Sequence, residues 1–161
     1  MDCSVVMFDR LSGQAERRLV ASARALAQAE IAGSRDQPLR GKNLALWAPT
    51  PGPAAALFMT AVEQLGATTS QIGDEQLAMQ DERELQRVAR MLDRLYDAVE
   101  CQGVPAASVR RLSDMATVPV FDGIACETHS TAALASELAD CGSPADARRW
   151  ILQAAVLQTV A

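Results

Sequence analysis

The stretch from Asn43 to Ala67 constrains the fold more than any other part of the chain. Asn43-Leu44-Ala45-Leu46-Trp47 is short, apolar and unbroken, the pattern of a strand covered on both faces. A Pro/Gly turn follows, Ala48-Pro49-Thr50-Pro51-Gly52-Pro53. Thr50 is placed to cap a helix beginning at Pro51, since a threonine hydroxyl satisfies an orphan N–H and proline at the first position needs none. Gly66 sits where a left-handed cap should end that helix. A buried strand feeding a helix start is the unit of an α/β fold, and its turn is where such folds bind anions. Free backbone N–H groups and the helix dipole point at the same spot.

The rest of the chain repeats this alternation. Val5 to Phe8 reads as a short edge strand or arm. Ser12 caps a long alanine-rich helix running to about Ala32, with Leu19, Ala23 and Leu26 on one face. Ala67 to Ile72 reads as a second strand and Asp74 to Gln80 as an acidic loop. Asp81 opens a helix with Leu85, Val88, Leu92 and Leu95 at helical spacing. Asp97 to Cys101 is a third strand, Pro105 starts a helix through Met115, and Val118 to Phe121 is a fourth strand. His129 to Ala139 reads as a further helix. Ser143 caps a last one, with Pro144 at its first position and its end near Val160. The expected fold is α/β, a three-layer doubly wound domain. Its mainly parallel sheet of about four or five strands has helices on both faces and right-handed crossovers.

A chain of 161 residues allows one domain with a sizeable core. A net charge of -5 argues against nucleic acid or an anionic membrane surface as partner. No apolar run is long enough to span a bilayer, and Asp2, Asp9 and Arg10 break any signal-peptide pattern. Cys3, Cys101, Cys126 and Cys141 show no close pairing and read as reduced thiols, pointing to the cytoplasm. Cys101 and Cys126 could approach His129, with Asp122 or Glu127, but the spacing fits no zinc pattern and no metal is expected. No dinucleotide or Walker fingerprint is present, and no cofactor is expected. Arg83, Arg87, Arg90 and Arg94 read as a solvated helix face paired with acidic neighbours.

Several segments together resemble the carbamoyl-phosphate domain of the ornithine and aspartate carbamoyltransferases. They are Leu39-Arg40-Gly41-Lys42-Asn43-Leu44-Ala45-Leu46, Phe58 with Leu65-Gly66-Ala67, Ser70-Gln71-Ile72-Gly73, and Met91 to Asp97. Val118-Pro119-Val120-Phe121-Asp122-Gly123 and the run from Thr128 to Ala135 extend the match and favour the ornithine branch. The segment from Asp146 to Leu157 resembles the family's final helix, which packs back on the first domain. The resemblance implies one domain over residues 1–161, with 144–160 as a closing helix and the amino-acid-binding domain absent.

The resemblance also locates the ligand site and shows what has changed there. The family's phosphate-gripping turn, Ser-Thr-Arg-Thr-Arg, falls on Pro51, Gly52, Pro53, Ala54 and Ala55, next to Thr50. A third arginine falls on Gln102, and a basic position falls on Glu75. Gln71, His129 and Thr131 keep ligand-contacting positions, His129 matching the residue that polarises the carbamoyl carbonyl, but its helper glutamine is Ala132. Each lost charge-assisted hydrogen bond is worth roughly 1.5–3 kcal/mol, so three remove about 5–9 kcal/mol, most of a micromolar site. Pro51 and Pro53 are further expected to remove two N–H donors from the helix start. The expectation is a catalytically degenerate protein with an oligomeric binding or regulatory role. It would act as a homotrimer or with a full-length carbamoyltransferase. The alternatives are a binder of an uncharged or cationic small molecule near Glu75 and Glu100, or residual carbamoyltransferase activity completed by a partner chain.

Overall fold

A computed structural model describes residues 12–34, 36–73 and 81–161. The expected arm at Val5–Phe8 and the acidic loop containing Glu75 lie outside the described residues. The elements run α1 (Gly13–Ile31), β1 (Asn43–Trp47), α2 (Pro53–Gln64), β2 (Thr68–Ile72), α3 (Glu82–Leu95), β3 (Ala98–Cys101), α4 (Ala106–Met115) and β4 (Val120–Asp122). A 3-10 segment (Ser130–Leu138) and α5 (Pro144–Val160) complete the chain. The four strands pair in parallel in the order β2-β1-β3-β4.

Strand alternation divides the core in two. Leu44, Leu46, Ala98 and Phe121 face the helices α1, α2 and α5. Ala45, Trp47, Val99 and Val120 face α3 and α4. Both faces of the sheet are therefore dry, which is why β1 and β3 carry no polar–apolar alternation. Strand order reverses between β1 and β3, so the carboxyl ends of those two strands form the crevice where a doubly wound sheet takes ligands.

The prolines set the start of α2 later than expected. Gly52, not Thr50, is the N-cap; its backbone is extended, with φ -144 and ψ -156, and Pro53 follows at the first helical position. A residue before proline is barred from the helical region, so no helix can begin ahead of Pro53. The helix ends as expected at Gly66, whose φ is +96; a Cβ there would sit 2.8 Å from that of Gln37.

The helix expected from His129 is instead a 3-10 coil capped by His129. Its end is clamped from outside, Arg24 Nη2 donating to the carbonyl of Glu137 at 2.7 Å and Arg24 Nη1 pairing with Asp140. The last helix is held by a part-buried network centred on the half-exposed Glu30. Arg149 forks onto both carboxylate oxygens of Glu30 at 2.9 and 3.0 Å, and the Trp150 indole donates to the same carboxylate at 2.7 Å.

The arginines of α3 do not pair as expected. Arg83, Arg87, Arg90 and Arg94 form no ion pair among the described residues. Two of the acids nearby are engaged elsewhere: Asp81 accepts from the N–H of Glu84, and Asp93 accepts from those of Thr117 and Val118. No helix of the described residues is long and apolar enough to cross a membrane.

Candidate functional site

The turn after β1 forms one wall of the crevice. Thr50, Pro51, Gly52 and Pro53 are exposed, Ala54 is half-buried, and Ala55 packs into the core at 2% exposure. Since α2 starts at Pro53, only that proline deletes a donor from the helix start; Pro51 lies outside the helix, contrary to expectation. The two described positions matching the turn's arginines, Pro53 and Ala55, supply no charge, and Ala55 is buried in the core.

Gln102 closes the crevice from the other side. Its backbone N–H donates to the carbonyl of Trp47 at 2.8 Å. Its amide Nε2 donates to the carbonyl of Ala54 at 3.1 Å and to Glu100 Oε2 at 3.3 Å. The side chain that stands in the family's arginine position thus ties the first turn of α2 to the end of β3 and is itself buried.

Beneath it lies Glu100, fully buried in β3 on the α5 side of the sheet. Its carboxylate accepts from the N–H groups of Ile124 at 3.1 Å and Ala125 at 3.0 Å. Burial pushes the carboxyl up to about 7, while the donors from Ala125, Gln102, Ile124 and Gly123 pull the other way. The expectation of Glu100 as a neighbour for a cationic ligand fails on this geometry, because its oxygens are consumed inside the protein.

Arg148 reaches the same place from α5. Its Nη2 donates to the carbonyls of Ile124 at 2.6 Å and Cys126 at 3.3 Å. Its Nε and Nη1 are buried and find no hydrogen-bond partner. Burial lowers its pKa, and the charges of Glu100, Cys126 and Glu127 oppose that. The carbonyl of Cys126 also accepts from the His129 N–H at 3.1 Å, so one peptide group links the guanidinium to the histidine.

His129 is half-buried and committed to its own cap. Its Nδ1 accepts from the Thr131 N–H at 3.2 Å and lies 2.9 Å from the Thr131 hydroxyl. A neutral ring with Nδ1 accepting carries its proton on Nε2. Thr131 is fully buried as the partner of this cap, and Ala132, half-buried, contributes only its N–H to the His129 carbonyl. Gln71 sits apart on the edge strand, exposed, its amide 3.4 Å from Met59 Sδ.

Thus Gln102 is bonded to Ala54 and His129 to Thr131, the two pairs being linked through Glu100, the turn at Ile124–Cys126 and Arg148, while Gln71 contacts Met59 instead. Glu100 and Arg148 complete the site; the sequence reading placed Glu100 beside a ligand, not inside the protein, and did not single out Arg148. Their signal was available: a lone carboxylate in the apolar run Ala98-Val99-Glu100-Cys101, and an arginine pair beside the apolar run Trp150-Ile151-Leu152 of the last helix. Burial pushes the thiols of Cys101 and Cys126 up, away from the thiolate that binds metals. Among the described residues no three His, Cys, Asp or Glu side chains are grouped to hold a metal ion.

Comparison with known proteins agrees with the topology. The family model described as aspartate/ornithine carbamoyltransferase, carbamoyl-P binding domain, matches residues 4–139 and so ends before α5. An ornithine carbamoyltransferase of Actinobacillus pleuropneumoniae serotype 5b is 38% identical over 123 residues, covering 71% of this chain and 35% of the relative. One from Haemophilus influenzae strain PittGG is 35% identical over 116 residues, with the same coverage. The solved ornithine carbamoyltransferase of Pyrococcus furiosus superposes with a TM-score of 0.66 at 23% identity, over 78% of this chain and 40% of its own. That of Thermus thermophilus also gives 0.66, at 22% identity, over 86% and 48%. The chain spans about a third of the length of the curated relatives it matches.

Proposed function

The chain belongs to the aspartate/ornithine carbamoyltransferase family, and from that premise we propose that it is a catalytically silent member with an oligomeric binding or regulatory role. The observation that carries this reading is Gln102, which is buried just beyond β3 with its amide bonded to the Ala54 carbonyl and Glu100. Carbamoyl phosphate is a small dianion that needs forked cationic donors. At this crevice it would meet prolines, alanines and an amide, with a buried carboxylate behind them. The proposed assembly is a homotrimer, or a mixed one with a full-length carbamoyltransferase, and its proposed compartment is the cytoplasm.

One observation favours a second reading. Arg148 has two buried nitrogens without a partner and shares the Cys126 carbonyl with His129, and a small polar acceptor would satisfy them. This is the small-molecule alternative, and it also leaves a route to activity completed by another chain.

Titration calorimetry with carbamoyl phosphate at low salt, with inorganic phosphate as control, tests the proposal. No heat at millimolar ligand is expected. A micromolar site for carbamoyl phosphate alone would sink the silent reading and favour the second one.

A further inference from the structure

Every partner of the buried Glu100 carboxylate among the described residues is a donor. The Ile124 N–H reaches Oε1 at 3.1 Å, the Ala125 N–H reaches Oε2 at 3.0 Å, and the Gln102 amide reaches Oε2 at 3.3 Å. The Gly123 N–H adds to them. Gly123 has a left-handed φ of +68. Successive N–H groups turned inward by such a residue form a concave nest, a backbone shape that receives anions. An un-ionised acid or an amide in the same place would bring a hydrogen for which these partners offer no acceptor.

Arg148 brackets the same turn from α5. It holds the carbonyls of Ile124 and Cys126 at 2.6 and 3.3 Å, while Glu100 holds the N–H of Ile124. The Glu100 charge acts on the guanidinium and favours its charged form. The place is dry, with Glu100, Ile124 and Ala125 no more than 1% exposed. The nest takes none of its donors from the exposed turn at Pro51 to Pro53.

We infer that this nest is a carboxylate-binding site occupied by the chain's own Glu100, and that a small free carboxylate takes the same place when that side chain is cut back. Beyond its Cβ the glutamate side chain has the heavy atoms of acetate, so acetate is the matching occupant. Neutral donors and the Arg148 guanidinium suit one negative charge, not the two of phosphate. Self-occupation is independent of the silent reading, which the wild-type calorimetry with carbamoyl phosphate decides.

Urea denaturation of wild type, E100A and E100Q at pH 8 tests it, each in sodium acetate, in sodium chloride of equal ionic strength, and in chloride with added acetamide. A ligand as small as acetate can reach a Kd of about 1 mM even below the efficiency of the best small ligands. At about 100 mM acetate such a site raises the folding constant about 100-fold. E100A should gain at least about tenfold in acetate over chloride. Wild type and E100Q, whose side chains fill the nest, should gain nothing. Acetamide has the shape of acetate without its charge and should not help E100A. Where E100A does not fold alone, recovery of its circular dichroism with acetate and not with acetamide is the same result. No gain or recovery with acetate would overturn the site. An equal gain with acetamide, or an equal gain in E100Q, would overturn it too, by showing cavity filling or a general salt effect.

Discussion

Replacing Glu100 by glutamine should flatten the pH dependence of stability between pH 5 and 8. The wild-type carboxyl sits at about 7 against an ordinary 4.5, because it is fully buried. The folded protein therefore keeps a proton that the unfolded chain releases. This contribution to stability is fully present below the unfolded value and is lost as pH rises through the folded one. The gap amounts to about 3 kcal/mol at most, of which about 2–3 kcal/mol falls between pH 5 and 8. Glutamine has the same shape and does not titrate. It offers one acceptor oxygen where the carboxylate offers two to Ile124 and Ala125, so its absolute stability shifts by about 1–3 kcal/mol as well. The slope is the clean quantity, since groups common to both proteins cancel. Urea denaturation at closely spaced pH values should show wild type losing about 2–3 kcal/mol relative to the variant. Parallel curves would refute the burial argument.

Gln102→Ala should destabilise by about 1–3 kcal/mol, because it removes the bond to the Ala54 carbonyl and strips a donor from a buried carboxylate. The loss should be larger at pH 8, where Glu100 is charged, and urea denaturation at pH 5 and 8 checks this. Glu30→Ala should cost about 2 kcal/mol, read by urea denaturation followed by tryptophan fluorescence. It takes one of two carboxylates from the buried Arg149 guanidinium, which keeps Asp146 and Gln64, and leaves the Trp150 indole without its acceptor; the half-exposed position of Glu30 discounts the full penalty for a broken buried pair. Arg149 holds the Glu30 carboxyl below the ordinary range, so this contribution should fade as pH falls through that lowered value.

The layers of the fold were legible because buried parallel strands and capped helices leave local marks. Asn43–Trp47 is strand and Gly66 adopts the left-handed cap, each for reasons visible in a few residues. The start of α2 was misplaced although the sequence holds the rule that fixes it: proline at 53 bars Gly52 from the helix, which outweighs the capping strength of Thr50. The 3-10 geometry after His129 was not legible, since Ser130 to Leu138 also suits an α-helix and the clamp from Arg24 is remote in sequence. The same remoteness hid the site's interior. Glu100 acquires its partners from a turn 24 and 25 residues on, and Arg148 from a helix whose approach no local pattern records.

The changes at the crevice are coupled, so the site is several substitutions away from gripping a dianion. An arginine at 102 would lie against Glu100, which accepts from Gln102 already, and would pair with that carboxylate before any ligand. An arginine at 55 would need volume that the core has filled, since Ala55 packs beside Phe58 and both are buried. Pro53 would still deny the helix start one donor. Glu100 meanwhile holds the Ile124 and Ala125 N–H groups, so the negative charge that the crevice now accommodates is the protein's own. A phosphate arriving there would have to displace or face that charge across a dry interior, where like charges repel far more strongly than in water. Restoring binding therefore requires removing Glu100 together with adding cations, and cations alone would stabilise the buried carboxylate instead.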